Sequence, residues 1–240
     1  QDGKIKSTMI IPTGGGAMMS AEKSLDLAIA KAGIKKEEIV RIDTTGYGRS
    51  YIDSGDDSIT EITCHAKGAN YLNPNVRTVI DIGGQDTKII CVEQGFVKDF
   101  MMNDKCSAGT GRFLEIMANT LSMRPNEMCE LAREGSGVTI SSMCTVFAES
   151  EVISLIGQGE KKENIAFAVV DSIVRKVAAQ ANRMSEDRPM LCLTGGLCEC
   201  SYISEALTKE LGMEVKTDPQ SRYAGAIGAA LGAVKKGKKN

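Results

Sequence analysis

Asp81, Gly83, Gly84, Gln85 and Asp86 stand close together in V-I-D-I-G-G-Q-D-T-K-I-I, residues 79–90. Glycines lack Cβ atoms, so backbone N–H groups at such a turn can approach a bulky anion. Asp81, at the end of an apolar run, is placed to hold Mg²⁺ through water or to orient an attacking water. The same residues also suit a plain β-hairpin with a Gly-Gly turn, and their spacing leaves both readings open. Cys106 and Cys144 form the second chemical set, in N-D-K-C-S-A-G-T-G-R-F and S-S-M-C-T-V-F-A-E-S-E. Each precedes an apolar helical pattern. The positive end of a helix lowers a thiol pKa and favours bound anions. A buried cysteine beside a loop is the alternative, but two cysteines so placed in one chain suggest a shared purpose.

The elements that must position these residues follow from periodicity. Residues 79–82, 87–92 and 96–102 read as three consecutive strands, and 190–194 as a buried strand ending in Gly195-Gly196. Helical patterns run over residues 113–121, from Pro125 to near Gly135, after Cys144, along 165–185, over 203–211 and over 223–234. Further strands are expected at 9–11, 39–43, 138–142 and around Val215. Near the start, Ser20 is expected to cap a helix whose Leu25, Ala28, Ile29 and Ala32 share a face, and Gly33 to end it. Ser58-x-x-Glu61 reads as a capping box for a helix to about Ala69, carrying Cys64 as a core residue and the only histidine, His65, as a structural one. The polar loop 44–49, with its spaced glycines and Arg49, suits either a site wall or a surface turn.

With 240 residues, 42% hydrophobic, the chain suits one large domain or two small ones. A net charge of -2 gives no attraction to nucleic acid or an anionic membrane. Aromatic content of 4%, with no tryptophan, disfavours base-stacking platforms. Apolar runs are too short for a bilayer span and no secretory signal stands out, so a cytoplasmic protein is expected. Eight cysteines in that setting read as thiols or metal ligands rather than as a disulfide framework. Cys198-x-Cys200 reads as spare thiols. Thr13-Gly14-Gly15-Gly16 lacks a following Lys-Ser/Thr and is not a P-loop.

Together, D-I-G-G-Q-D-T-K, the two cysteine motifs and L-T-G-G-L closely resemble the activators of 2-hydroxyacyl-CoA dehydratases, near kin of the ATPase subunits of benzoyl-CoA reductase. The resemblance runs from about residue 44 to 231. It implies an α/β, actin/sugar-kinase-like two-lobe fold with ribonuclease H-like mixed sheets, divided here into lobes 1–102 and 103–240. A leading D-x-G-S-T-x-x-K strand-turn belongs to that pattern, and this chain is expected to lack it. Further implied are ATP/ADP with Mg²⁺ at Asp81, Gly83, Gly84, Gln85 and Asp86, with Asp81 and Gln85 catalytic. Gly195 and Gly196 are implied to lie on the adenosine side, across a cleft from Gly83-Gly84, with Lys88 only flanking the site. The resemblance also implies a homodimer sharing one [4Fe–4S] cluster through Cys106 and Cys144 of each subunit. A ferredoxin or flavodoxin would be the electron donor, and a 2-hydroxyacyl-CoA dehydratase or a related acyl-CoA reductase the acceptor. The competing expectation is a small-molecule kinase, for a sugar or acyl acceptor, of the same superfamily.

Overall fold

The computed structural model describes residues 3–141, 144–184 and 190–237. Helix α1 (Ala17–Ala32) leads to a two-stranded parallel sheet, β1 (Asp43–Thr44) with β2 (Asp57–Ser58). Helix α2 (Glu61–Leu72) precedes the hairpin strands β3 (Thr78–Ile82), β4 (Thr87–Glu93) and β5 (Phe96–Asn103). Four helices follow: α3 (Gly111–Thr120), α4 (Pro125–Ala132), α5 (Thr145–Gly157) and α6 (Lys162–Met184). The described chain ends with β6 (Leu191–Gly195), α7 (Ser201–Leu211), β7 (Val215–Lys216) and α8 (Ala224–Gly237).

The main sheet has the order β5-β4-β3-β6-β7. Strands β3, β4 and β5 are antiparallel neighbours, whereas β6 lies parallel to β3 and β7 parallel to β6. The strand period of two sends alternate residues to opposite faces. Ile80, Ile82 and Ile89 face the large core built with α3, α4, α6 and α7. Val79, Ile90, Val92 and Cys192 face a smaller core with Ala66 and Ala69 of α2. Asp81, Lys88 and Thr194 keep phase with the second set, so the polar row lies on the α2 side. Opposite that row, α2 packs on α8 through small residues. A Cβ on Gly68 would overlap the Ala224 carbonyl, and one on Gly228 the Cys64 carbonyl.

Several expectations are corrected. Residues 9–11, 39–42 and 138–141 carry no strand. Helix α1 starts at Ala17, so Ser20 lies inside its first turn, where its hydroxyl donates to the Gly16 carbonyl at 2.6 Å. No residue of α1 is buried, so its apolar stripe covers no core. The cap of α2 is Thr60 rather than Ser58, its hydroxyl accepting from the Thr63 N–H at 3.5 Å. The two Gly-Gly pairs do not face each other across a cleft. Ile82 is the register partner of Gly195, so both pairs leave the same end of adjacent parallel strands. Gln1, Ser142, Ser185 and residues 238–240 lie outside the described residues.

Candidate functional site

The turn after β3 is closed by the Gly83 N–H donating to the Asp86 carbonyl at 2.9 Å. A Cβ on Gly83 would come within 2.8 Å of Asp86 Oδ1, so the turn needs glycine to keep that carboxylate tucked in. Gly84 and Gln85 form the exposed tip, while Asp81 and Asp86 are 1% and 3% exposed. At the end of β6, Gly195 adopts φ +83, and a Cβ there would overlap the Ile82 carbonyl. Gly84 and Gly196 each have an open side where a Cβ would touch nothing.

Lys88, expected only to flank the site, lies at its centre. Asp81 and Lys88 are cross-strand register partners. The Lys88 side chain is 2% exposed, and its ammonium lies 2.6 Å from Asp86 Oδ1, 3.3 Å from Asp81 Oδ2 and 3.6 Å from Glu61 Oε2. Burial works against its charge, but the carboxylates of Asp81, Asp86 and Glu61 outweigh that and hold its pKa above the ordinary lysine value. The remaining carboxylate oxygens are also engaged. Thr194 Oγ1 donates to Asp81 Oδ1 at 3.0 Å, and the Tyr47 hydroxyl donates to Asp86 Oδ2 at 3.1 Å. Burial, and then the Asp86 carboxylate, push the Tyr47 phenol up. The loop 44–49 therefore reaches the site through Tyr47. His65, expected as structural, brings Nδ1 to 3.2 Å from both Asp81 Oδ1 and Thr194 Oγ1. Lys88 was findable in principle: pairing Ile82 with Thr87 puts Asp81 beside it. Glu61 and His65, one helical turn apart, carried the weaker signal of two polar residues on one face of α2.

Helix α3 abuts the turn. Its first N–H groups, on Gly111 and Arg112, donate to the carbonyls of Gly83 and Gly84 at 2.9 Å each. Those donors hold the turn, so the expectation that they face a ligand beside Cys106 is corrected; Cys106 lies five residues before the helix. An open cavity of about 360 Å³ borders the tip, lined by Gly84, Gln85, Arg112, Glu115, Asn119 and Arg124 among others. It offers a polar wall of two guanidinium groups, a carboxylate and an amide beside the glycine turn.

The two cysteine segments meet. Ser107 and Thr145, each next to its cysteine, share a hydroxyl–hydroxyl hydrogen bond of 2.6 Å. Cys144 is the exposed N-cap residue of α5, and Cys106 is half-buried. Thr87 Oγ1 donates to the Gly109 carbonyl at 2.6 Å and ties the Cys106 loop to β4. Lys176 of α6 places Nζ 3.4 Å from Cys106 Sγ, its stem packed where Gly109 has no side chain. Sequence pattern did not single out Lys176, which lies on the polar edge of a long helix. Cys198 and Cys200 are both buried and diverge. Burial pushes the Cys198 thiol up to about 12, whereas the Cys200 thiol is held down by its hydrogen bond with Cys129. Among the described residues, no group of three or more His, Cys, Asp or Glu side chains converges as a single-chain metal site. No helix among them is long and apolar enough to cross a membrane.

The chain is 44% identical over 242 residues to the (R)-2-hydroxyglutaryl-CoA dehydratase activating ATPase of Acidaminococcus fermentans, covering 100% of this chain and 92% of that protein. It superimposes on the crystal structure of component A of that organism's (R)-2-hydroxyglutaryl-CoA dehydratase with a TM-score of 0.94 and 43% identity, over 99% of this chain and 92% of that one. The activator of the 2-hydroxyisocaproyl-CoA dehydratase from Clostridium difficile, solved with bound ADPNP, matches with a TM-score of 0.87 and 37% identity, over 95% and 83% of the two chains. A ROK hexokinase from Thermus thermophilus, 18% identical with a TM-score of 0.53 over 100% and 94% of the chains, shares the fold alone. The fold is thus the actin/sugar-kinase-like one. Residues 3–233 match the family model described as BadF/BadG/BcrA/BcrD ATPase, and the chain belongs to that family.

Proposed function

We propose that the chain is an ATP-dependent reductive activator of a 2-hydroxyacyl-CoA dehydratase. In this reading it works as a homodimer that holds one [4Fe–4S] cluster between its subunits and donates a single electron, replenished by a ferredoxin or flavodoxin. The observation that carries the reading is the Ser107–Thr145 bond, which gathers Cys106 and Cys144 from segments 38 residues apart. The donor set fits the group: a cubane cluster takes four thiolates, one chain brings two together, and a second copy related by a two-fold axis completes the set. When bound, the cluster supplies one-electron redox chemistry. The chain's own contribution is to hold both cysteines on one face and to set the Lys176 ammonium beside Cys106, where its charge offsets that of the thiolate.

On the nucleotide side, Gly83, Gly84 and Gln85 cradle phosphate, and Gly195-Gly196 adjoin it from β6. Asp81 and Asp86 act on Mg²⁺ through water, because Lys88, Thr194, His65 and Tyr47 already engage their oxygens. Asp81 orients the attacking water, and Gln85 at the exposed tip contacts it from outside. Hydrogen bonds from α3 to the turn, and from Thr87 to the Cys106 loop, join the nucleotide site to the cysteine face. A change at the phosphates can therefore reach the electron-transfer surface through two short links.

Asp81→Asn keeps the side-chain size and removes its charge. Hydrolysis of ATP should fall by about 100-fold or more, while nucleotide binding changes by less than about tenfold. Undiminished turnover in Asp81→Asn would remove Asp81 from the mechanism.

A further inference from the structure

We propose that His65 is a positioning residue for nucleotide hydrolysis: from helix α2 it grips the Asp81 carboxylate and locks it to Thr194, without itself reaching the nucleotide. The inference rests on the role given to Asp81 above. Three atoms form a closed triangle: His65 Nδ1, Thr194 Oγ1 and Asp81 Oδ1, with sides of 3.2, 3.0 and 3.2 Å. The Thr194 hydroxyl donates to the carboxylate, which leaves its lone pairs to accept. The Nδ1–H of His65 therefore points between the threonine oxygen and Asp81 Oδ1, which fixes the tautomer.

The ring is enclosed where α2 meets α8. His65 is 9% exposed, and Gly225 of α8 stands against its far side, where a Cβ would lie 3.0 Å from Nε2. The second carboxylate oxygen is held by Lys88 at 3.3 Å. Asp81 is thus clamped from β4, from β6 and from α2 at once. Thr194 directly precedes Gly195-Gly196, so the triangle also sets the spacing between the two glycine turns. Holding a reacting group in one orientation is worth large factors in rate, and small misplacements cost up to about 100-fold. Filling space between α2 and α8 would need no donor at Nδ1. A clamp needs that donor, and this difference separates the two roles.

The test uses the full chain with ATP and Mg²⁺. His65→Leu keeps most of the volume and removes the donor, while His65→Asn restores an N–H near the Nδ1 position. Thr194→Val removes the third corner at nearly constant shape and carries the test if His65→Leu does not fold. The expected result is a kcat for hydrolysis about 10- to 100-fold lower in His65→Leu and Thr194→Val, with KM for ATP within about twofold. His65→Asn should recover most of the lost kcat even though both His65 variants melt at similarly lowered temperatures. If kcat instead tracks melting temperature across the three variants, or if KM rises with kcat unchanged, the inference is overturned. Asp81→Asn separates the two claims. If it abolishes turnover while His65→Leu does not, only the positioning role fails; if Asp81→Asn itself turns over normally, the fault lies with the reading of Asp81.

Discussion

Lys88 is the residue on which the proposed nucleotide side is built. One buried ammonium serves Asp81, Asp86 and Glu61, so removing it strands three carboxylates near one another. Breaking a buried ion pair from one side costs about 3–5 kcal/mol, and Lys88→Met should lower stability by that order in a thermal or urea melt at neutral pH. The pH dependence follows from the raised pKa of Lys88. Its contribution is full below the unfolded lysine value of about 10.4 and is lost as pH climbs through the higher folded value. The stability gap between wild type and Lys88→Met should therefore stay flat from neutral pH to about pH 10 and close above it. A gap that closes on acidification to pH 7 would contradict this. Gly195 gives a second residue-scale outcome. At φ +83, with the Ile82 carbonyl where a Cβ would go, Gly195→Ala should force β6 from β3 and cost about 1–3 kcal/mol or more. Chemical denaturation of the variant measures it.

Elements explain what could be read in the sequence and what could not. Strands β3 and β4 were legible as runs rich in Val, Ile and Thr, and β5 and β6 as short apolar runs beside glycine turns. Pro125 marked the start of α4 for the same kind of local reason: its ring pre-sets the first helical turn. The short pairings were not legible. The strand expected around Val215 is β7, but β1 and β2, of two residues each, take their register from neighbours distant in sequence. Misplaced caps at Ser20 and Ser58 show that a hydroxyl near a helix start need not be its cap: Gly16, which has no side chain, precedes α1, and the nearby Thr60 hydroxyl caps α2. The close approach of α2 to α8 depends on Gly68 and Gly228, each facing backbone of the opposite helix. Gly228→Leu should push the helices apart and lower stability by about 1–3 kcal/mol. Because α2 carries Glu61 and His65, turnover should drop as well. A melting temperature unchanged within error would show that the two helices can slide without cost.

At the scale of the whole molecule, the proposed nucleotide turn and the proposed cysteine face belong to one body of structure. The turn leans on α3, β4 holds the Cys106 loop, and Ser107 meets Thr145 at the start of α5. Sequence motifs indicated both sites, but not the bonds between them, because those bonds join residues of ordinary type. Exposed Val146, Phe147, Ile153 and Ile156 on α5, directly after Cys144, give the cysteine face an apolar surround. Such a surface suits burial against a second copy, and loss of the proposed shared cluster should weaken that contact. The most direct measurement is iron and acid-labile sulfide on anaerobically purified protein, read together with the mass of the intact assembly. The account predicts about four irons and four sulfides per two chains, with iron lost in Cys106→Ser and Cys144→Ser and kept in Cys198→Ser and Cys200→Ser. A colourless monomer without iron, or a Cys106→Ser protein with its full iron content, would contradict it and leave a kinase of the same fold as the better reading.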